Sequence, residues 1–153
     1  MMSSLVLMRN TLLAIHLLSA TVWVGGMFYA LVILRPSLNL LDAMPRLQVH
    51  LQTLKRLFAI VWIAMPAMLV TGWLMIFAGW GGFAGLPWYI NTMQTLGLLM
   101  ALIFLYVYFD PYQRLRRAIR PGPELLARIR TLMTMNLVLG CLTIIAGSLG
   151  HGW

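Results

Sequence analysis

The residues of this chain that could do coordination chemistry are neutral ones. It holds three histidines and twelve methionines but only three acidic residues. His16, His151, Met75 and Met93 are the candidate ligands: an imidazole nitrogen and a thioether sulfur both suit copper(I) or haem iron and add no charge to an apolar setting. Ser19, Trp23, Asn91 and Gln94 lie near them in sequence and could orient a ligand or share its second nitrogen. His16 is the sharpest of these. It sits in a run from Thr11 to Leu34 with no Asp, Glu, Lys or Arg, and an unpaired polar side chain in hydrocarbon costs several kcal/mol. It needs a partner, and Ser19 one turn on, or Gln94, offers one. Such a hydrogen bond alone would also account for it. Met65, Met68 and Met75 share a helix face with Gly72 between them, a pattern that serves core packing as readily as a copper ladder. His50 falls among basic residues and reads as an interfacial histidine.

The elements that must hold these residues are membrane spans. The chain has 153 residues, 61% hydrophobic and 9% charged, against about 25% charged in soluble domains, and its mean hydropathy is +0.88. The pattern predicts one all-α domain, an integral-membrane bundle of four transmembrane helices over about 10–34, 57–79, 89–109 and 130–150. Each run is long enough for a ~30 Å hydrocarbon core. In the first, His16, Ala20, Trp23 and Met27 share one face, and Gly25 and Gly26 beside them would admit a neighbouring backbone. Arg35-Pro36 should end that span. Leu47, Leu51, Leu54 and Phe58 predict an amphipathic lead-in, begun at Pro45, that runs into the second span, which Pro66 should kink near Trp62. The third has a small and polar face at Gln94, Gly97, Ala101 and Tyr108 and should stop at Asp110-Pro111. The fourth presents Asn136, Gly140, Thr143 and Gly147 as a packing seam. The opening MMSSLVLMRN reads as part of a retained first span rather than a cleaved leader.

Charge sets the orientation. Arg35, Arg46, Lys55 and Arg56 lie between spans one and two, and Arg114, Arg116, Arg117, Arg120, Arg128 and Arg130 between three and four. The glycine-rich connection AGWGGFAGLPW has no charge. By the positive-inside rule both basic loops are cytoplasmic and both termini periplasmic. The net charge of +8 is thereby explained without a nucleic-acid partner. In this topology His16 lies about six residues, ~9 Å, below the outer surface, and His151, Met75, Met93, Asn91 and Gln94 share its half of the bundle; helix bundles build cofactor sites in this way, from inward side chains on facing helices.

Other chemistries are excluded or weak. The spans hold no pair of carboxylates for acid–base work. The single cysteine, Cys141, allows neither an internal disulfide nor a Cys-based zinc site and reads as a small packing residue. No CxxCH occurs, so any haem is non-covalent.

HLLSATVWVGGMFYALVILRPSL in span one, KRLFAIVWIAMPAMLVTGWLMIF in span two, MQTLGLLMALIFL in span three and RIRTLMTMNLVLG in span four resemble the bacterial CopD (copper-resistance protein D) membrane family, in its small four-span, stand-alone form. The resemblance implies a multi-pass protein of the bacterial inner membrane concerned with copper uptake, tolerance or transfer. More distantly, the chain is similar to the HemJ-type haem-b membrane proteins. That likeness implies His16 as an axial ligand, although the Lys their third span uses has no counterpart over Asn91 to Thr95. Copper, haem b and a cofactor-free accessory role stay open at this point. The bilayer is the one assured partner; a metal- or electron-transfer protein and a homo-oligomer are compatible with the sequence.

Overall fold

The computed structural model describes residues 3–150, so His151 lies outside the described residues. They form an all-α bundle without strands, built on four helices long and apolar enough to cross a membrane. Helix α1 spans Ser4–Phe28 and opens on Ser3, whose hydroxyl accepts the N–H of Val6 at 3.4 Å. Helix α2 runs unbroken over Ala43–Trp80, so the lead-in and the second span are one continuous helix with Pro66 inside it. It closes on Gly81, whose φ of 72° is the left-handed geometry that glycine adopts at least cost. Helix α3 (Trp88–Val107) begins after Pro87. Helix α4 (Pro123–Leu149) has its proline in the first turn, where no N–H is needed, and Glu124 beside it.

Two helix ends differ from the sequence reading. The first span does not stop at Arg35-Pro36: a π-helical stretch, Tyr29–Leu34, leads into further helical turns as far as Leu40. The third does not stop at Asp110-Pro111 either: a π-helical stretch, Tyr108–Tyr112, carries it on to Arg117. Proline cannot donate to the carbonyl four residues back and its ring crowds that carbonyl. The wider π turn accommodates both effects in place of a break.

α1 packs chiefly on α2 and α3 chiefly on α4, and the two pairs meet through smaller α1–α4 and α2–α3 seams. The buried centre holds Trp23, Met27, Phe58, Val61, Met100, Phe104 and Met133. Toward the basic end, aromatic rings meet edge to face: Phe58 on Tyr112 at 4.8 Å, Trp62 on Tyr108 at 5.2 Å and Trp62 on Phe104 at 5.5 Å. The outward surface is Leu, Ile, Val and Phe, which suits lipid rather than water.

In a bilayer, burying Leu against Leu gains little over lipid, and close packing carries helix association. The glycines show this. A Cβ at Gly140 would stand 2.7 Å from Val24 Cγ2 and 3.2 Å from Met100 Cε, and one at Gly147 3.1 Å from Met93 Sδ. At Gly26 it would meet Leu57 Cδ1 at 2.7 Å. Gly25 departs from the sequence reading: it is exposed, with nothing within 4 Å of an added Cβ, because it lies on the outward side of α1. Cys141 is likewise exposed on α4 rather than packed.

Candidate functional site

The face of α1 carrying His16, Ala20, Trp23 and Met27 turns inward. Trp23 and Met27 are buried, and His16 and Ala20 partly so. The imidazole of His16 crosses to α2. Its Nδ1 lies 2.8 Å from the main-chain oxygen of Met68 and 3.3 Å from Thr71 Oγ1. A carbonyl can only accept, so Nδ1 carries the proton, and in the neutral ring Nε2 keeps its lone pair. The Thr71 hydroxyl donates to Ala67 O at 2.6 Å, with Met68 O at 3.2 Å, which leaves its own lone pairs for the imidazole N–H. This Nδ1–H···O=C arrangement fixes ring and tautomer in metal-binding histidines.

Gly72 makes the room. A Cβ there would lie 3.1 Å from His16 Cε1 and 3.5 Å from Nδ1. The partners expected for His16, Ser19 and Gln94, are thus replaced by a backbone carbonyl and Thr71. A carbonyl partner has no sequence signature. The signal that was present is Gly72 itself, a gap in the methionine face of the second span.

Met75 is one turn beyond Thr71 on the same face of α2, a rise of ~6 Å, and is partly buried. Across from it, α3 approaches α2 where the Cβ position of Gly97 is 3.8 Å from Met68 Cε. Gln94, one turn from Gly97 toward the glycine-rich connection, therefore stands level with Thr71 and Gly72 in these antiparallel neighbours. Gln94 Oε1 is buried and has no hydrogen-bond partner among the described residues. Met93 is turned elsewhere, against Gly147 of α4, so Gln94 stands at the level of His16 with Met75 one turn beyond, while Met93 belongs to the α3–α4 seam. Asn91 points out of the site and donates through Nδ2 to Leu86 O at 3.3 Å. Trp23 lies two turns below His16, its ring edge-on to Phe104 at 6.3 Å. No group of three or more His, Cys, Asp or Glu converges among the described residues. The donors on hand are nitrogen, thioether and amide oxygen, a set without charge.

The sequence model of the family Copper resistance protein D matches residues 51–149, well over half of the chain. The chain belongs to the Copper resistance protein D family. The matched segment takes in α2 from Leu51 onward, α3 and α4, and with them Met68, Thr71, Gly72, Met75 and Gln94. Helix α1, with His16, precedes it, so the CopD match supplies the helices that receive the imidazole and the geometry supplies the imidazole itself. No curated protein and no solved structure matches the chain. Membership in the CopD family gives this multi-pass protein its connection to copper resistance.

A cavity of about 490 Å³ lies around Arg35, Arg46 and Arg130. From His16 to Arg35 is about five turns of helix, ~28 Å, so this space is not a chamber for a haem on that imidazole.

Proposed function

We propose that the protein takes up copper(I) at His16 and passes it within or across the membrane, as a CopD-type contributor to copper handling. One observation carries this reading: the main-chain oxygen of Met68 holds the Nδ1–H of His16 at 2.8 Å. Inside a membrane-crossing helix, that bond leaves a neutral Nε2 as a preset donor. Copper(I) is a soft monocation that favours imidazole and thioether. The ligands assigned are His16 Nε2 and the Met75 sulfur, one turn beyond it, with Gln94 Oε1 as a polar acceptor at the level of the imidazole. Met93 and His151 are not needed for this set. A neutral imidazole–thioether site suits a cargo ion, since anionic thiolates would bind the soft monocation more tightly. With the basic loops in the cytoplasm, as the arginine distribution favours, the site lies in the periplasmic half of a bacterial inner membrane.

The pinned imidazole is also the form an axial haem ligand takes, so an absorption spectrum of the purified protein separates the readings: a Soret band for haem b, none for copper(I). The functional test is copper-dependent growth. Expressing the wild-type chain should shift the copper concentration that arrests growth, and His16→Ala should remove the shift at equal membrane expression. An undiminished shift in the variant would contradict the assignment.

A further inference from the structure

At the basic end of the bundle the end of the first membrane-crossing segment and the first turns of α2 and α4 diverge around the cavity of about 490 Å³. Its rim is cationic. Arg35, Arg46 and Arg130 line it, with His50 among them. Its floor is apolar, made by leucines of all three segments together with Ile129 and Met133.

Arg46 is fixed in place. Its Nε donates to Leu38 O at 3.1 Å, and Nη2 to Leu41 O at 2.7 Å and Asn39 O at 3.4 Å. Those bonds leave Nη1 uncommitted among the described residues. Among the described residues no carboxylate forms an ion pair with the three guanidiniums, Asp42 and Glu124 at the two helix starts included. The ion pairs among the described residues join Asp110 to Arg114 at 3.0 Å and to Arg128 at 4.0 Å, and neither pair involves the rim. Ala43 and Pro123, the first residues of α2 and α4, also line the cavity, so two helix N-termini add their positive ends to the same space. Like charges gathered without a counter-ion repel one another, and an anion at the centre would relieve them.

We propose that this cavity binds the phosphodiester headgroup of an anionic phospholipid, with part of an acyl chain on the apolar floor. The two halves of the lining decide between sources of phosphate. A free phosphate ion would use the arginines and gain nothing from the leucines, whereas an anionic lipid uses both. Basic pockets between membrane helices recognise such headgroups. This inference does not depend on the copper assignment.

The test is native mass spectrometry of the full chain released from mixed micelles of phosphatidylglycerol and phosphatidylcholine, with thermal melting as a second readout. Wild type should retain phosphatidylglycerol selectively and melt at higher temperature in its presence. Arg35→Gln and Arg130→Gln remove side chains that make no hydrogen bond or ion pair among the described residues, so both should fold. Each should lower the selective retention several-fold, and the double variant should abolish it. Arg116→Gln/Arg117→Gln, which removes as much charge outside the cavity, should leave it unchanged. Equal retention by the Arg35/Arg130 double variant, or equal loss in the Arg116/Arg117 control, would overturn the proposal. So would inorganic phosphate displacing the lipid and reproducing the melting shift, which would mark a free-phosphate site.

Discussion

A Cβ added at Gly72 would stand 3.1 Å from Cε1 of His16, so the ring of one residue fills the space the other leaves open. Gly72→Val should therefore displace the imidazole from the Met68 carbonyl while His16 is still present. The expected outcome is loss of bound copper in a protein that inserts and melts as a bundle. Unchanged copper binding would mean that the Met68 contact does not set the site.

Thr71→Val separates the two acceptors around Nδ1. The Met68 carbonyl remains at 2.8 Å, and only the hydroxyl at 3.3 Å is lost. A single hydrogen bond contributes about 0.5–1.5 kcal/mol, so copper affinity should fall by no more than about tenfold. Complete loss on titration with copper(I) would shift the main burden from Met68 to Thr71.

The packing seam supplies its own control. Gly140→Leu should destabilise the bundle by about 1–3 kcal/mol, the usual cost of overfilling a packed site, because Val24 Cγ2 stands 2.7 Å from the Cβ position. Gly25→Leu should be close to neutral, since its Cβ position is open. Thermal melting in detergent decides it, and equal melting of the two variants would contradict the packing described.

Orientation can be read by cysteine labelling. A cysteine at Gly82 in the glycine-rich connection should react with a membrane-impermeant thiol reagent from the periplasmic side, and one at Arg117 only from the cytoplasmic side. Cys141, exposed on the flank of α4, should react from neither, being covered by lipid. Reversed labelling of the first two would invert the assignment and carry the His16 site to the other half of the membrane.

The fold was largely legible because bilayer crossing imposes a coarse pattern: long apolar runs, charge gathered in two connections with Arg9 the one exception, and a 3.6-residue face at His16, Ala20, Trp23 and Met27. The helix ends were less so. Arg35-Pro36 and Asp110-Pro111 read as stops, yet each is passed with a π turn, a register change that composition does not encode. The site was half legible. His16 stood out as a polar residue in an apolar span, but its partner is the backbone of Met68, which any residue could offer. Met93 read as a ligand by depth alone. Depth does not fix azimuth, and its sulfur lies against Gly147 on another face.

Whether His16 is the copper ligand is decided by the copper that purified protein holds after loading with copper(I) and removal of excess. Wild type should carry stoichiometric copper by elemental analysis, without a Soret band. His16→Ala should carry none, although it inserts at least as well, since its first span becomes more hydrophobic. Full copper retention by His16→Ala would contradict the central claim.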